Sequence, residues 1–247
     1  MIRVAGLTKR YGNLVAVRNV SFEVAEGEVV GFLGPNGAGK TTTMRCLTGF
    51  LAPSDGRVEV AGHDLARAPL AGRAAVGYLP ELPPLYPEMR VDDYVGYVAS
   101  INGVPRAQRA AHVERALEAC GLSDVRRRVI RTLSKGFRQR VGLAQAIVHE
   151  PAVLVFDEPT SGLDPLQIAE IRELIRRLAT EQGRTVILST HVLAEVEAIC
   201  RRVLIIAYGE LRLDAPLERV RESGGLEETF RREVEAAGGL SPEGGGE

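Results

Sequence analysis

Seven short apolar runs punctuate the chain: VSFEV (20–24), VVGFL (29–33), VEV (58–60), AVGYL (75–79), VLVF (153–156), TVILS (185–189) and VLIIA (203–207). Several are near-continuous in Val, Ile and Leu, the composition of strands buried on both faces of a sheet. Between them the apolar positions recur at helical spacing. Val113, Ala116, Leu117 and Cys120 share one face, Phe137, Val141, Ala144 and Val148 a second, and Ile168, Ile171, Ile175 and Leu178 a third. Strands alternating with helices predict an α/β fold around a mostly parallel sheet. Residues 86–150 interrupt that alternation with helical patterning alone, which predicts a helical subdomain inserted into the α/β core. Towards the end, GLEETFRREVEAA is patterned as a short amphipathic helix through Leu226, Phe230 and Val234. The Gly-rich SPEGGGE after it is expected to be disordered.

Composition narrows the function classes. The 247 residues suffice to bury a large core without disulfide or metal. A formal net charge of −1 provides no global electrostatic footprint for nucleic acid, and no such partner is expected. Cys46, Cys120 and Cys200 are far apart and lack metal-ligand spacing, so they read as reduced thiols of a cytoplasmic protein. The opening MIRVAGLTKRYG has no apolar core of a secretory signal. The longest apolar runs are far too short to cross a bilayer, so any membrane role implies a partner.

Of the 31 cationic side chains only Lys9, Lys40 and Lys135 are lysine. Lys40 stands in Gly34-Pro35-Asn36-Gly37-Ala38-Gly39-Lys40-Thr41, which matches the phosphate-loop pattern GxxxxGK[ST]. The context it demands is present: VVGFL precedes it and a helical TTTMRCLTGF follows. Glycines let successive backbone N–H groups turn inward into a concave anion site at a helix N-terminus. A compact ammonium fits inside that cradle and reaches the β- and γ-phosphates, whereas a planar guanidinium forks across an exposed oxyanion. Thr41 offers its hydroxyl to Mg²⁺, and Thr42 belongs to the same phosphate-binding turn. The plainer reading of this loop is a Gly-rich turn capping a helix.

Two acids follow another buried strand. AVLVFDEP (152–159) ends in Asp157 and Glu158, at the carboxyl end where open α/β sheets place their ligands. Asp157 is positioned to hold Mg²⁺ and Glu158 to polarise an attacking water as general base. Without a phosphate loop in the chain, two helix-capping acids would explain the pair. Asp164 and Pro165 make an N-cap and N1 pair, which accounts for Asp164 locally. His191 ends the strand TVILST near the expected γ-phosphate; a lone histidine is otherwise an ordinary core or surface residue.

Taken in order, the phosphate loop, LSKGFRQR (133–140), the strand-end Asp-Glu pair, Ser161-Gly162-Leu163-Asp164 and His191 resemble an ABC-transporter ATP-binding subunit over about residues 1–220. The resemblance implies a P-loop NTPase core with an N-terminal antiparallel β part, a helical extension over 221–237 and a tail at 238–247. It implies ATP with Mg²⁺, hydrolysed with Lys40, Glu158 and His191, with Tyr11 stacked on the adenine and Asp164 beside the nucleotide. It also implies a head-to-tail dimer, homomeric or heteromeric, in which Ser134 and Gly136 of one subunit contact the γ-phosphate held by the other. ATP binding would close that dimer and hydrolysis reopen it. A separate transmembrane permease would hold the chain at the cytoplasmic inner face of the membrane.

Two departures refine the resemblance. The usual signature is LSGGQ, but here Lys135 replaces a glycine and Phe137 the glutamine. Glu81, in GYLPELPPLYPEM, stands where the family usually has glutamine. Both variants, with LSKGFRQRVGLAQAIVHEP, resemble the ABC-2-type and gliding-motility-type exporters, which implies export. Glu81 becomes a candidate Mg²⁺ ligand or water-positioning carboxylate. Lys135 either adds positive charge near the opposing phosphate or is a solvated surface lysine. Two rivals are a soluble ABC ATPase acting on ribosomes or DNA and a non-hydrolysing regulatory subunit. The first usually carries two ATPase domains or a long coiled coil, neither visible here; intact Glu158 and His191 argue against the second.

Overall fold

A computed structural model describes residues 1–238 of the chain. In chain order its strands are β1 (Ile2–Tyr11), β2 (Leu14–Val24), β3 (Val29–Leu33), β4 (Asp55–Val60), β5 (His63–Asp64), β6 (Val76–Leu79), β7 (Val153–Asp157), β8 (Thr185–Thr190), β9 (Arg202–Ala207) and β10 (Glu210–Pro216). The helices are α1 (Lys40–Leu47), α2 (Pro69–Ala74), α3 (Val91–Ile101), α4 (Arg109–Ala119), α5 (Lys135–Ile147), α6 (Pro165–Thr180), α7 (Leu193–Ile199), α8 (Leu217–Glu222) and α9 (Leu226–Gly238).

Two sheets result. One runs β2-β1-β4-β5 and is antiparallel throughout. The other runs β10-β9-β3-β8-β7-β6, parallel except for β10, which pairs antiparallel with β9 at the edge. The central strands β3, β7 and β8 are buried at every position, which is why they read as unbroken apolar runs. Their side chains still alternate between two cores. Val30, Phe32, Val155 and Ile187 pack towards α1 and the antiparallel sheet, while Leu33, Leu154, Phe156 and Leu188 pack with α3 to α7. The expected α/β fold is therefore the one adopted, with the N-terminal antiparallel part and a helical stretch, α3 to α5, between β6 and β7.

Three strands fall outside the apolar runs, the two-residue β5 among them. β1 alternates buried Ile2 and Val4 with exposed Arg3, and register shifts break its pattern beyond Val4. β10 lies at the sheet edge and carries no fully buried residue. Helix α9 follows the expected amphipathic stripe, burying Leu226 and half-burying Phe230 and Val234. Gly238 ends this helix, and the rest of the expected tail, 239–247, lies outside the described residues. Among the described residues no helix is long and apolar enough to cross a membrane.

Candidate active site

Strands β3 and β7 flank β8, with Leu33 opposite Thr190 and Asp157 opposite Ser189. Their carboxyl ends therefore deliver three loops to one place. After β3 the chain turns through residues 34–39 and enters α1. Gly39 adopts φ 101°, and a Cβ there would stand 2.6 Å from the Ala16 carbonyl oxygen, so only glycine fits this corner. The Ala38 N–H closes the turn on the Pro35 carbonyl, and the Thr43 hydroxyl and N–H both donate to the Gly39 carbonyl at 2.9 Å.

Lys40, only 6% exposed, threads into this turn. Its Nζ donates to the carbonyls of Gly34 (2.8 Å) and Pro35 (3.3 Å) and stands 3.4 Å from Glu158 Oε1. The ammonium thus bridges the phosphate loop and the end of β7 with donors that a flat guanidinium cannot arrange in so small a space.

Glu158 leaves β7 at φ 50°, a left-handed conformation costly for a side chain with a Cβ. Its N–H donates to the Ser189 carbonyl (3.0 Å) and its carbonyl accepts from the Ser161 N–H (3.1 Å), which together enforce the turn. The result aims a nearly buried carboxylate at Lys40 on one side and at His191 Nδ1, 2.9 Å away, on the other. Asp157 is buried beside it. One carboxylate oxygen accepts from the Ser189 hydroxyl, while Oδ2 has no partner.

An unpartnered buried carboxylate oxygen is costly unless a cation completes it. Oxygen donors of this kind suit Mg²⁺, which takes one or two protein ligands and otherwise uses water and substrate phosphates. Among the described residues no group of three or more His, Cys, Asp or Glu is arranged to hold a metal.

A cavity of about 350 Å³ joins Lys40, Glu158 and His191, while Asp157 is buried off its lining. Pro35, Asn36, Gly37 and the run Gly39-Lys40-Thr41-Thr42 line it, together with Glu81, Glu158, His191 and Ala16. Gly34 and Ala38 are buried in the adjoining turn. Tyr11 does not line the cavity; it is half exposed at the end of β1, with Lys9 Nζ 5.6 Å from its ring centre. Ser134, Gly136 and Asp164 also lie elsewhere within one chain. Ser134 caps α5 by accepting from the Phe137 N–H (3.3 Å), Asp164 caps α6 by accepting from the Gln167 N–H (3.0 Å), and Gly136 packs on Gln167.

Some residues of the site have no motif to announce them. Ser189 reaches Asp157 only through the pairing of β7 with β8, although the polar end of TVILST was a visible signal. Ala16 comes from the antiparallel sheet. Glu195, 2% exposed on α7, is also buried near the site; burial pushes its carboxyl above the ordinary value, with Thr190 and Arg172 opposing the rise.

A family model described as ABC transporter matches residues 17–161. The bacitracin transport ATP-binding protein BcrA of Bacillus licheniformis is 35% identical over 222 residues, covering 90% of this chain and 72% of BcrA. A solved ATP-binding subunit of an ABC transporter matches with a TM-score of 0.85 at 29% identity, over 94% of this chain and 99% of that one. The dimeric structure of MJ0796, a bacterial ABC transporter cassette, matches with a TM-score of 0.80 at 25% identity, over 88% and 99%. A phosphate loop that wraps its lysine, and a strand-end glutamate held against that lysine, thus sit on a fold and sequence shared with these proteins: the chain belongs to the ABC transporter family, as an ATP-binding subunit that hydrolyses ATP.

Proposed function

We propose that the cavity binds MgATP with the phosphates in the turn of residues 34–42 and that Glu158 is the general base. The observation that carries this reading is the buried Glu158 carboxylate, held between Lys40 at 3.4 Å and His191 at 2.9 Å on the cavity wall. Inward N–H groups and Lys40 bind the phosphate oxygens; on binding, the ammonium exchanges part of its contact with Glu158 for the γ-phosphate. Glu158 accepts a proton as water attacks phosphorus, and ADP and phosphate leave. His191 holds the carboxylate in line and stands near the γ-phosphate. Thr41, Asp157 and Glu81 would hold Mg²⁺, which supplies charge neutralisation at the β- and γ-phosphates.

Two such chains form the working unit. Ser134 and Gly136 stand away from their own chain's cavity, and a head-to-tail partner supplies them in trans, as the dimeric form of MJ0796 suggests by analogy. We favour a homodimer; a second, related ATPase subunit is the alternative. A separate membrane-spanning subunit anchors the pair at the inner face of the membrane. The relative BcrA, named for bacitracin transport, together with the Glu81 and Lys135 variants, favours export.

Glu158→Gln tests the base. This variant is expected to bind ATP and form an ATP-dependent dimer by sedimentation, while hydrolysis falls about 10²–10⁴-fold. Turnover near the wild-type rate would sink the assignment. Recovery from detergent-solubilised membranes with a multi-spanning protein in comparable amount supports the transport role; recovery with ribosomal or chromosomal proteins alone replaces it.

A further inference from the structure

Helix α5 touches the loop that carries Glu158 and the start of α6 at three points in all. The Gln139 side-chain amide, from a residue 4% exposed, donates to the Pro159 carbonyl at 2.9 Å. One turn earlier, a Cβ added at Gly162 would collide with Lys135 Nζ, and one added at Gly136 would collide with the Gln167 amide. The start of α5 therefore sits directly on residues 159–167. Only the first of these contacts is a buried hydrogen bond.

That bond falls one residue after a strained backbone. Glu158 is held at φ 50° by β8 through Ser189 and by the turn through Ser161, and both bonds involve its own peptide groups. The Ser161 bond fixes the Glu158–Pro159 peptide plane, and neither bond reaches the Pro159–Thr160 plane after it. Pro159 is buried, and its carbonyl finds its donor in Gln139, 20 residues back along the chain. A buried carbonyl needs such a donor, and supplying it from a packed helix anchors the second peptide after Glu158 to α5. Glutamine suits this place because its amide reaches across the gap uncharged and donates without titrating.

We propose that Gln139 is a positioning residue for hydrolysis: its bond to the Pro159 carbonyl holds the Glu158 carboxylate at the cavity wall. The proposal rests on the reading of Glu158 as general base. A displacement of about 1 Å in such a group costs about 10²-fold in rate. The loss appears in turnover and leaves nucleotide affinity alone, since Gln139 does not line the cavity.

The test uses the full chain and compares Gln139→Met, which keeps length and volume without a donor, with Glu158→Gln and the double variant. Turnover, affinity for a fluorescent ATP analogue and melting temperature are measured for each. Gln139→Met is expected to lose about 10²-fold in turnover, with affinity within about threefold of wild type. In the Glu158→Gln background it is expected to lose nothing further, because the group it positions is already gone. Wild-type turnover in Gln139→Met, or an equal loss in both backgrounds, overturns the proposal while leaving the base assignment standing. Normal turnover in Glu158→Gln overturns the base assignment instead, and the positioning role with it. If Gln139→Met melts out, Gln139→Leu is read the same way; loss of ATP binding in both makes Gln139 a structural residue and overturns the proposal.

Discussion

The Lys40 ammonium and the Glu158 carboxylate face each other at 3.4 Å with only 7% and 10% of their side chains exposed. Removing one partner of a nearly buried pair strands the other's charge, at a cost of about 3 kcal/mol. Lys40→Met is therefore expected to abolish tight ATP binding and to lower stability in urea by about that amount. Lys40→Met combined with Glu158→Gln leaves no stranded charge and is expected to recover most of the loss. A double variant no more stable than Lys40→Met would show that the two groups are not energetically coupled.

His191 acts on the same carboxylate from the open side. Its Nδ1 lies 2.9 Å from Glu158 Oε2, while its side chain remains about half exposed. His191→Ala leaves the phosphate loop and Lys40 intact, so ATP binding is expected to change by less than about threefold. Hydrolysis is expected to fall about 10²-fold if Glu158 is the base proposed, because it then loses the contact that orients it. Equal losses in affinity and turnover would instead make His191 a nucleotide ligand.

Asp157 Oδ2 is buried without a partner, and Glu81 lines the cavity from the loop after β6. Both are expected to reveal themselves in Mg²⁺ titrations of turnover. Asp157→Asn is expected to need at least about tenfold more Mg²⁺, because it replaces a charged oxygen donor with an amide. Glu81→Gln is expected to give a smaller shift in the same direction. If Glu81→Gln alters neither the Mg²⁺ dependence nor the rate, its carboxylate has no part in metal binding or water positioning.

The sequence made these residues legible to unequal degrees, and the reason is range. Lys40 and Thr41 belong to one local pattern, and Glu158 and His191 end apolar strands whose burial on both faces shows in their composition. Strand β1 alternates and then shifts register, and β10 is an edge strand of charged and apolar residues, so neither left an apolar run. The bonds of Ser189 to Asp157 and of Gln139 to Pro159 span 32 and 20 residues. They exist only once strands pair and α5 docks, and no local pattern encodes them. The family resemblance supplied roles for Ser134, Gly136 and Tyr11, yet a single chain keeps all three off the cavity.

Glu195 offers a test by pH. Its carboxyl is 2% exposed with Oε2 unpartnered, and burial raises its pKa above the ordinary 4.5, against the opposing pull of the Thr190 hydroxyl and Arg172. Glu158 nearby adds to the rise, and His191 offsets it. A carboxyl whose pKa is higher in the folded chain than in the unfolded one favours folding below the unfolded value. That contribution is lost as pH climbs through the folded value. Gln mimics the protonated form at every pH. Glu195→Gln is therefore expected to melt with the wild type near pH 4.5 and above it at pH 7–8, the gap opening as pH rises. Melting curves of both proteins across that range decide the matter. A gap that stays constant, or one in which the wild type gains with rising pH, would mean that Arg172 and Thr190 outweigh burial and that Glu195 is held as the carboxylate.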